Sequence, residues 1–394
     1  MSQIYEYGCL NLSALRALDS HSGLFSPRKK EVAIQIPTAM SSCSGCSHTV
    51  KIRPRSETLE RAVEMSELDS RGWVFQERIL AQAVLHFGHG MMFWECKCSR
   101  ASEAHPNPPV SRHEPLKNLL SEAFREESLV DYAQGHYLVW YVLLETYSQK
   151  QFTNASDKLP AILGLAKRFE RTFKAMFVAG LWYEDLHRGL LWSRYELLGG
   201  HKKGRIARTP SWSWISTDFA LAYTFELNEG DRWKKFPVRR VELPSDMELL
   251  DAKVNKSNTK SRTKEVRGLL ELQGIIARVT YKPVNLFPLP SGSGFLTRNR
   301  YPSKVQLQRT LDFDCETQEN VFCLRVASWE HCCHREVSLQ QLAYFLVLER
   351  SAPLPRHRHP SNQGEFRRVG IGADEPEKVD EFFGSATKQF LTLA

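Results

Sequence analysis

The stretch Ser66–Cys96, SELDSRGWVFQERILAQAVLHFGHGMMFWEC, decides how the chain is read. Ser70 is placed to cap a short helix running to about Leu80. Within it Trp73, Gln76, Glu77 and Leu80 recur at i, i+3, i+4 and i+7, which is one helix face. Two apolar runs follow, Ala83–Gly88 and Met91–Cys96. Only Gly88, His89 and Gly90 lie around the turn between them, so the pair predicts a β-hairpin. A helix docked on a two-stranded ribbon is the expected unit.

Upstream, MSQIYEYG reads as the end of a helix. CLNLSAL follows with Leu10, Leu12 and Ala14 alternating as in a buried strand. Asp19–Arg28 is loop-like, Val32–Ile36 is a short strand, and Cys43–Arg55 is polar and irregular. Downstream, PNPPV is a linker into helices. Leu116, Leu119, Leu120, Ala123 and Phe124 share one face, and Leu138–Leu144 is apolar almost all round, as in a central helix. A third stripe, from Leu159 through Phe177, predicts another helix with Pro160 in its first turn. Trp212 and Trp214 alternate with serines in TPSWSWIS and suggest a strand with one packed face. LLELQGIIARV, VFCLRVA, AYFLVLE, FRRVGI and TKQFLTL read as five further strands. The expected class is α+β in three regions: residues 1–105, a helical region 106–208, and a Trp-containing strand with a β-rich module over 209–394.

Composition limits what such a chain can do. Of its 394 residues 42% are hydrophobic and 25% charged, enough to bury a core and too apolar for a mainly disordered chain. The longest apolar run, Tyr137–Leu144, is under half of the ~18 residues that span a bilayer, so no membrane span is expected. MSQIYEYGCLNL has no basic segment before an apolar one, which argues against a secretory signal. Nine cysteines, an odd number, fit a reducing compartment better than a disulfide framework. The formal charge is +8. Part of this excess lies in DAKVNKSNTKSRTKEVR, Asp251–Arg267, which reads as a solvated loop. Nucleic acid is not expected as a partner, because no aromatic or helix-groove pattern accompanies it.

Arg71, Gly72, Trp73, Gln76, Glu77 and Arg78, then Leu85, Phe87 and Gly88, then Trp94, Glu95 and Cys96, resemble the C-terminal half of the fungal heterokaryon-incompatibility (HET) domain. IYEYG, CLNLSAL and DSHSGLF resemble the middle of that domain. The stretch YSQKQFTNASDKLPAILGLA, with AGLW, LLW and PSWSW, resembles the helical, tryptophan-rich region that follows it, and EFRRVGI its β-rich tail. Members of that family begin upstream, with a strand ending in Trp–Gly and a second strand carrying a Cys–Ile–Asn–Gln run. Neither is found here, so the sequence reads as N-terminally truncated within the domain or as a degenerate paralogue. The resemblance implies a cytoplasmic fungal protein of non-self recognition and programmed cell death, working with protein partners of the incompatibility system. It also implies a partial TIR-like open α/β sheet. Some TIR-like proteins cleave NAD, which makes NAD a substrate under an alternative, enzymatic reading. No cofactor is otherwise expected, and an interaction protein is preferred to an enzyme. A truncated sheet would leave an edge beside Leu10–Leu15 exposed.

Among single residues Glu77 is the candidate acid or base, since a carboxylate on a half-apolar helix face can acquire a raised pKa. The alternative, preferred because buried charges are usually paired, is that Glu77 pairs with Arg71 or Arg78 and orients the helix on the hairpin. A helix N-terminus near Arg71 and Gly72 could hold an anion, but no glycine-rich phosphate loop is present. Zinc needs about four converging ligands. Cys43 and Cys46 form a CxxC with His48 nearby, Cys96 and Cys98 a CxC, and His331–His334 a consecutive HCCH. Only a composite of Cys43, Cys46 and His48 with a distant ligand could qualify, and free thiols are the preferred reading. There is no GxSxG elbow, and the tryptophans Trp182, Trp192, Trp212 and Trp214 are read as core before ligand platforms.

Overall fold

Ser66–Cys96 folds in the computed structural model as two short helices and a hairpin. The structure describes residues 2–17, 19, 21–25, 32–37, 47–52, 57–107, 116–124, 135–195, 206, 209–223, 245–256, 266–283, 293–297, 307–311, 321–332, 339–351 and 364–394. The fold is mixed α+β. One boundary divides it, into Met1–Ser121 and Glu122–Ala394, so the residues expected as a helical region and as a β-rich module fall largely in one unit.

In the first unit α1 (Ser2–Tyr7) leads to β1 (Asn11–Ala14), and β2 (Val32–Pro37) pairs antiparallel with β3 (Ser47–Ile52). The irregular segment expected over Cys43–Arg55 is therefore corrected at Ser47–Ile52, where backbone pairing to β2 imposes extended structure. A turn of π-helix, Glu60–Glu64, precedes α2 (Glu67–Ser70) and α3 (Gly72–Leu80). Then come β4 (Ala83–Phe87), β5 (Met92–Cys96), β6 (Arg100–Ser102) and most of α4 (Leu116–Ala123). The cap lies elsewhere than expected: Ser66 accepts from the Asp69 amide at 3.1 Å and starts α2, whereas the Ser70 hydroxyl donates to the Glu67 carbonyl at 2.6 Å. Arg71, in extended conformation, breaks the two helices apart.

The sheet order is β1-β4-β5-β6. The β1–β4 pair is parallel, with Leu12 opposite Leu85, while β4–β5 and β5–β6 are antiparallel. The outer edge of β1 has no strand partner among the described residues. The expected burial of Leu10 and Leu12 is corrected: they are 46% and 53% exposed, because β1 is an edge strand and its protected residue is Leu15 at its end. Leu15, Leu59, Val63 and Phe93 form a small core, and Phe75, Ile79 and Leu80 bury the apolar side of α3.

The second unit opens with α5 (Gly135–Ser148), which buries Trp140, Tyr141, Leu143, Leu144 and Tyr147 on nearly all sides. α6 (Leu163–Phe173) is shorter than its apolar stripe. Lys174, at φ 54°, stops it, Phe177 enters a strand, and Met176 is exposed. Pro160 precedes the helix and is not part of its first turn. β7 (Phe177–Val178), β8 (Leu181–Trp182), α7 (Leu186–Gly189), β9 (Trp192–Arg194) and β10 (Leu221–Tyr223) follow. The strand expected at Trp212 and Trp214 is also corrected. These residues form a turn and a 3₁₀ turn, because the Ser213 hydroxyl accepts from the Ile215 amide at 3.2 Å and competes with strand pairing. Both indoles are nevertheless fully buried, as expected of core, and donate to the Gly268 and Gly180 carbonyls at 3.3 and 2.7 Å.

The remaining elements are β11 (Met247–Lys256), β12 (Val266–Pro283), β13 (Ser293–Thr297), β14 (Leu307–Leu311), β15 (Val321–Cys332), β16 (Leu339–Arg350), β17 (Glu365–Asp374), α8 (Pro376–Phe383) and β18 (Lys388–Leu393). All five strands expected from the sequence are among them. The antiparallel pairings β12–β13, β13–β14, β14–β17, β17–β16, β16–β15 and β15–β12 return to their start, so the sheet closes on itself. α8 packs Val379, Phe382 and Phe383 into the cluster formed by Val321, Phe345 and Val347. The solvated loop expected over Asp251–Arg267 is partly strand: Asp251–Lys256 belongs to β11 and pairs with β12. Among the described residues no helix is long and apolar enough to cross a membrane.

Candidate functional site

Successive residues of a helix project about 100° apart, and alternate residues of a strand share a face. On α3 this separates Glu77 from Arg78. On β5 it sends Phe93 and Glu95 to the buried face and leaves Trp94 and Cys96 half-exposed. Arg78 and Glu95 then meet in a bidentate pair, Nε to Oε2 at 2.8 Å and Nη2 to Oε1 at 3.0 Å. Arg78 Nη1 also donates to Asp69 Oδ1 at 3.0 Å, and Arg100, opposite Glu95 across β5–β6, donates to Glu95 Oε1 at 3.0 Å. Arg100 reaches outward to Glu60 and Glu64, each at 3.3 Å. His86 Nε2 lies 3.4 Å from Glu95 Oε2.

Glu95 is 1% exposed, so burial opposes its charge. Arg78, His86 and Lys117 more than compensate and hold its carboxyl well below the usual range. Burial likewise opposes the Arg78 charge, but Glu95, Asp69 and Glu64 outweigh it and raise its pKa. Burial pushes His86 down, against the pull of Glu95, and brings Lys117 to about 8. The Glu95 carboxylate can only accept, so in this contact the donor is His86 Nε2. This is a paired, hydrogen-bonded ion network that fastens α2 and α3 to the hairpin.

Glu77 sits apart from that network. It is half-buried and accepts a hydrogen bond from the Tyr5 hydroxyl of α1. Burial raises its pKa, against the opposing effects of that bond and of the Arg71 guanidinium. Tyr5 is pushed up to about 12 by burial and by the adjacent carboxylate. Of the two partners expected for Glu77, Arg71 acts on it and Arg78 is engaged elsewhere. Glu77, Tyr5, Arg71, Asp69 and His86 line a cavity of about 370 Å³ whose apolar side includes Leu12, Val74 and Val84. That volume lies within the range of roughly 300–1,000 Å³ common for small-molecule pockets. A carboxyl group with a raised pKa there can exchange a proton with a bound molecule.

The other motif residues support this frame. Gly72 is buried at the start of α3, Gln76 is buried, and Trp73 and Trp94 are half-buried. Cys43 and Cys46 lie outside the described residues, as do Cys333 and His334. His48 falls in β3, and His331 and Cys332 in β15. Among the described residues no three His, Cys, Asp or Glu side chains are gathered for a metal. The sequence reading missed the roles of Asp69, His86, Arg100 and Lys117. The available signal was the alternation Phe93–Glu95, which demands a basic partner for a carboxylate on a core-facing strand position.

The second unit buries charge as well. The Asp185 carboxylate accepts from the Tyr141 hydroxyl at 2.7 Å and pairs with Arg188 Nε at 2.8 Å. Lys158 Nζ donates to the Thr217 carbonyl at 2.6 Å. Burial brings the Asp185 carboxyl up and the Lys158 amine down, each to about 7. No protein-family profile, curated protein or solved structure matches this chain.

Proposed function

We propose that the chain is a heterokaryon-incompatibility-type protein of fungal non-self recognition and programmed cell death, acting through contacts with protein partners. The observation that carries this reading is the convergence of the Arg71–Cys96 residues into one fastened body. Arg78 and Glu95, 17 positions apart, form a bidentate pair that docks α3 on the β4–β5 hairpin. A stretch whose residues hold a surface together, with the central Glu95 carboxylate engaged by Arg78 and Arg100, suits a recognition scaffold better than a reaction centre.

The cavity beside Glu77 favours a second reading, a TIR-like NAD-cleaving enzyme in which Glu77 is the acid or base. One experiment separates the two. The purified chain is incubated with NAD while nicotinamide release is followed, and the chain is expressed from an inducible promoter in a filamentous fungus while growth is recorded. The scaffold reading expects growth arrest with no nicotinamide release, and equal arrest by the Glu77→Ala variant. Release of nicotinamide that disappears with Glu77→Ala replaces it by the enzyme, and unaffected growth on expression of the parent chain refutes it.

A further inference from the structure

We propose that Cys96 is a peroxide-reactive thiol and Cys98 its resolving partner, together forming a redox modification site at the turn between β5 and β6. Cys96 ends β5 and faces Ser99 across the two-residue turn Lys97–Cys98, its amide donating to the Ser99 carbonyl at 2.9 Å. The sulfur lies 3.4 Å from Ser99 Oγ. The amides of Cys98 and Ser99 and the side chain of Trp94 also donate to it. Such a nest of N–H and O–H groups favours the thiolate. Partial burial opposes ionisation of Cys96, but these donors outweigh it and lower the thiol's pKa. Lys117 adds a cation within electrostatic range. Cys96 is half-exposed, Cys98 is exposed, and both are free thiols, so an oxidant can reach the first and the second can follow. Two residues apart along the chain, the Cα atoms of Cys96 and Cys98 lie no more than about 7 Å from each other, close to the roughly 4.4–6.8 Å that a disulfide spans.

The chemistry balances with a hydroperoxide as oxidant. The Cys96 thiolate attacks the outer peroxide oxygen, the O–O bond breaks and an S–O bond forms. The sulfur loses two electrons, and the peroxide leaves as an alcohol or water after taking up a proton. The Cys98 thiol then attacks the sulfenic sulfur. The S–S bond forms, the S–O bond breaks, and hydroxide departs as water with the Cys98 proton. The turn so bridged is the one that places Arg100 opposite Glu95, so oxidation pulls directly on that pairing.

The test uses the full chain. It is treated with hydrogen peroxide, its remaining thiols are alkylated, and peptides are mapped by mass. The expected results are a peptide containing Cys96 and Cys98 that is lighter by two hydrogens, and a dimedone adduct on Cys96 in the Cys98→Ser variant. At neutral pH the parent's Cys96 should alkylate at least tenfold faster than the exposed Cys9, and the Ser99→Ala variant should lose several-fold of that rate. Alkylation of Cys96 no faster than Cys9, or a dimedone adduct absent from Cys96, overturns the proposal.

Discussion

Replacing Glu95 by glutamine keeps the side-chain shape and removes one charge from the centre of the ion network. In the parent, Glu95 is 1% exposed and accepts three hydrogen bonds from Arg78 and Arg100, whose side chains are only 12% and 14% exposed. The amide offers one oxygen in place of two, and its NH2 faces a guanidinium. Removing one partner of a buried pair costs about 3–5 kcal/mol, because the other charge is left without compensation. Asp69, Glu60 and Glu64 still engage the two arginines, so the expected loss is near the lower end, about 3 kcal/mol. With a urea m-value of about 1–3 kcal/mol/M this lowers the midpoint of the first unit's transition by roughly 1–3 M. Hydrogen exchange in α3 and β5 follows that unit specifically. The pH dependence supplies a second check. The folded-state pKa of Glu95 is depressed below its ordinary 4.5, so its contribution is fully present above that value and fades as pH falls through the folded-state pKa. The gap between parent and Glu95→Gln must narrow in acid. Equal midpoints at pH 7, or a gap that persists unchanged in acid, would refute the view that this ion network holds α3 on the hairpin.

Two further outcomes follow from the same structure. Lys158 has a folded-state pKa near 7 against an ordinary 10.5. The unfolded chain therefore binds more protons between those values, and this residue makes stability rise with pH by up to about 1.4 kcal/mol per unit. Denaturant titrations of parent and Lys158→Met from pH 7 to 10 should diverge with that slope, and parallel curves would show that the ammonium is not desolvated. Ser66→Ala should cost about 1 kcal/mol by uncapping α2, whereas Ser70→Ala should cost clearly less. A reversed order in their melting temperatures would return the cap to Ser70.

Local pattern determined a good deal about this protein. The apolar run AYFLVLE and the segment TKQFLTL are strands in the final sheet, and the apolar Leu138–Leu144 lies in a helix buried nearly all round, because apolar runs have few other ways to hide their side chains. The Ser66–Cys96 helix and hairpin were legible for the same reason. Pattern misled where a tertiary neighbour decided the outcome. Leu10 and Leu12 alternate as core residues do, yet β1 lies at an edge, and nothing within CLNLSAL encodes which side of a strand will be paired. Trp212 and Trp214 alternate like strand residues, yet the Ser213 hydroxyl accepts from the Ile215 amide and the indoles reach carbonyls from distant segments. The candidate site divides in the same way. Glu77 could be named from its helix face, but only the folded chain brings Tyr5 from α1 to it and assigns Arg78 to Glu95. Charge partners across 17 residues, like closure of the β12–β15 sheet across some 40, depend on how elements pack, which local spacing does not encode.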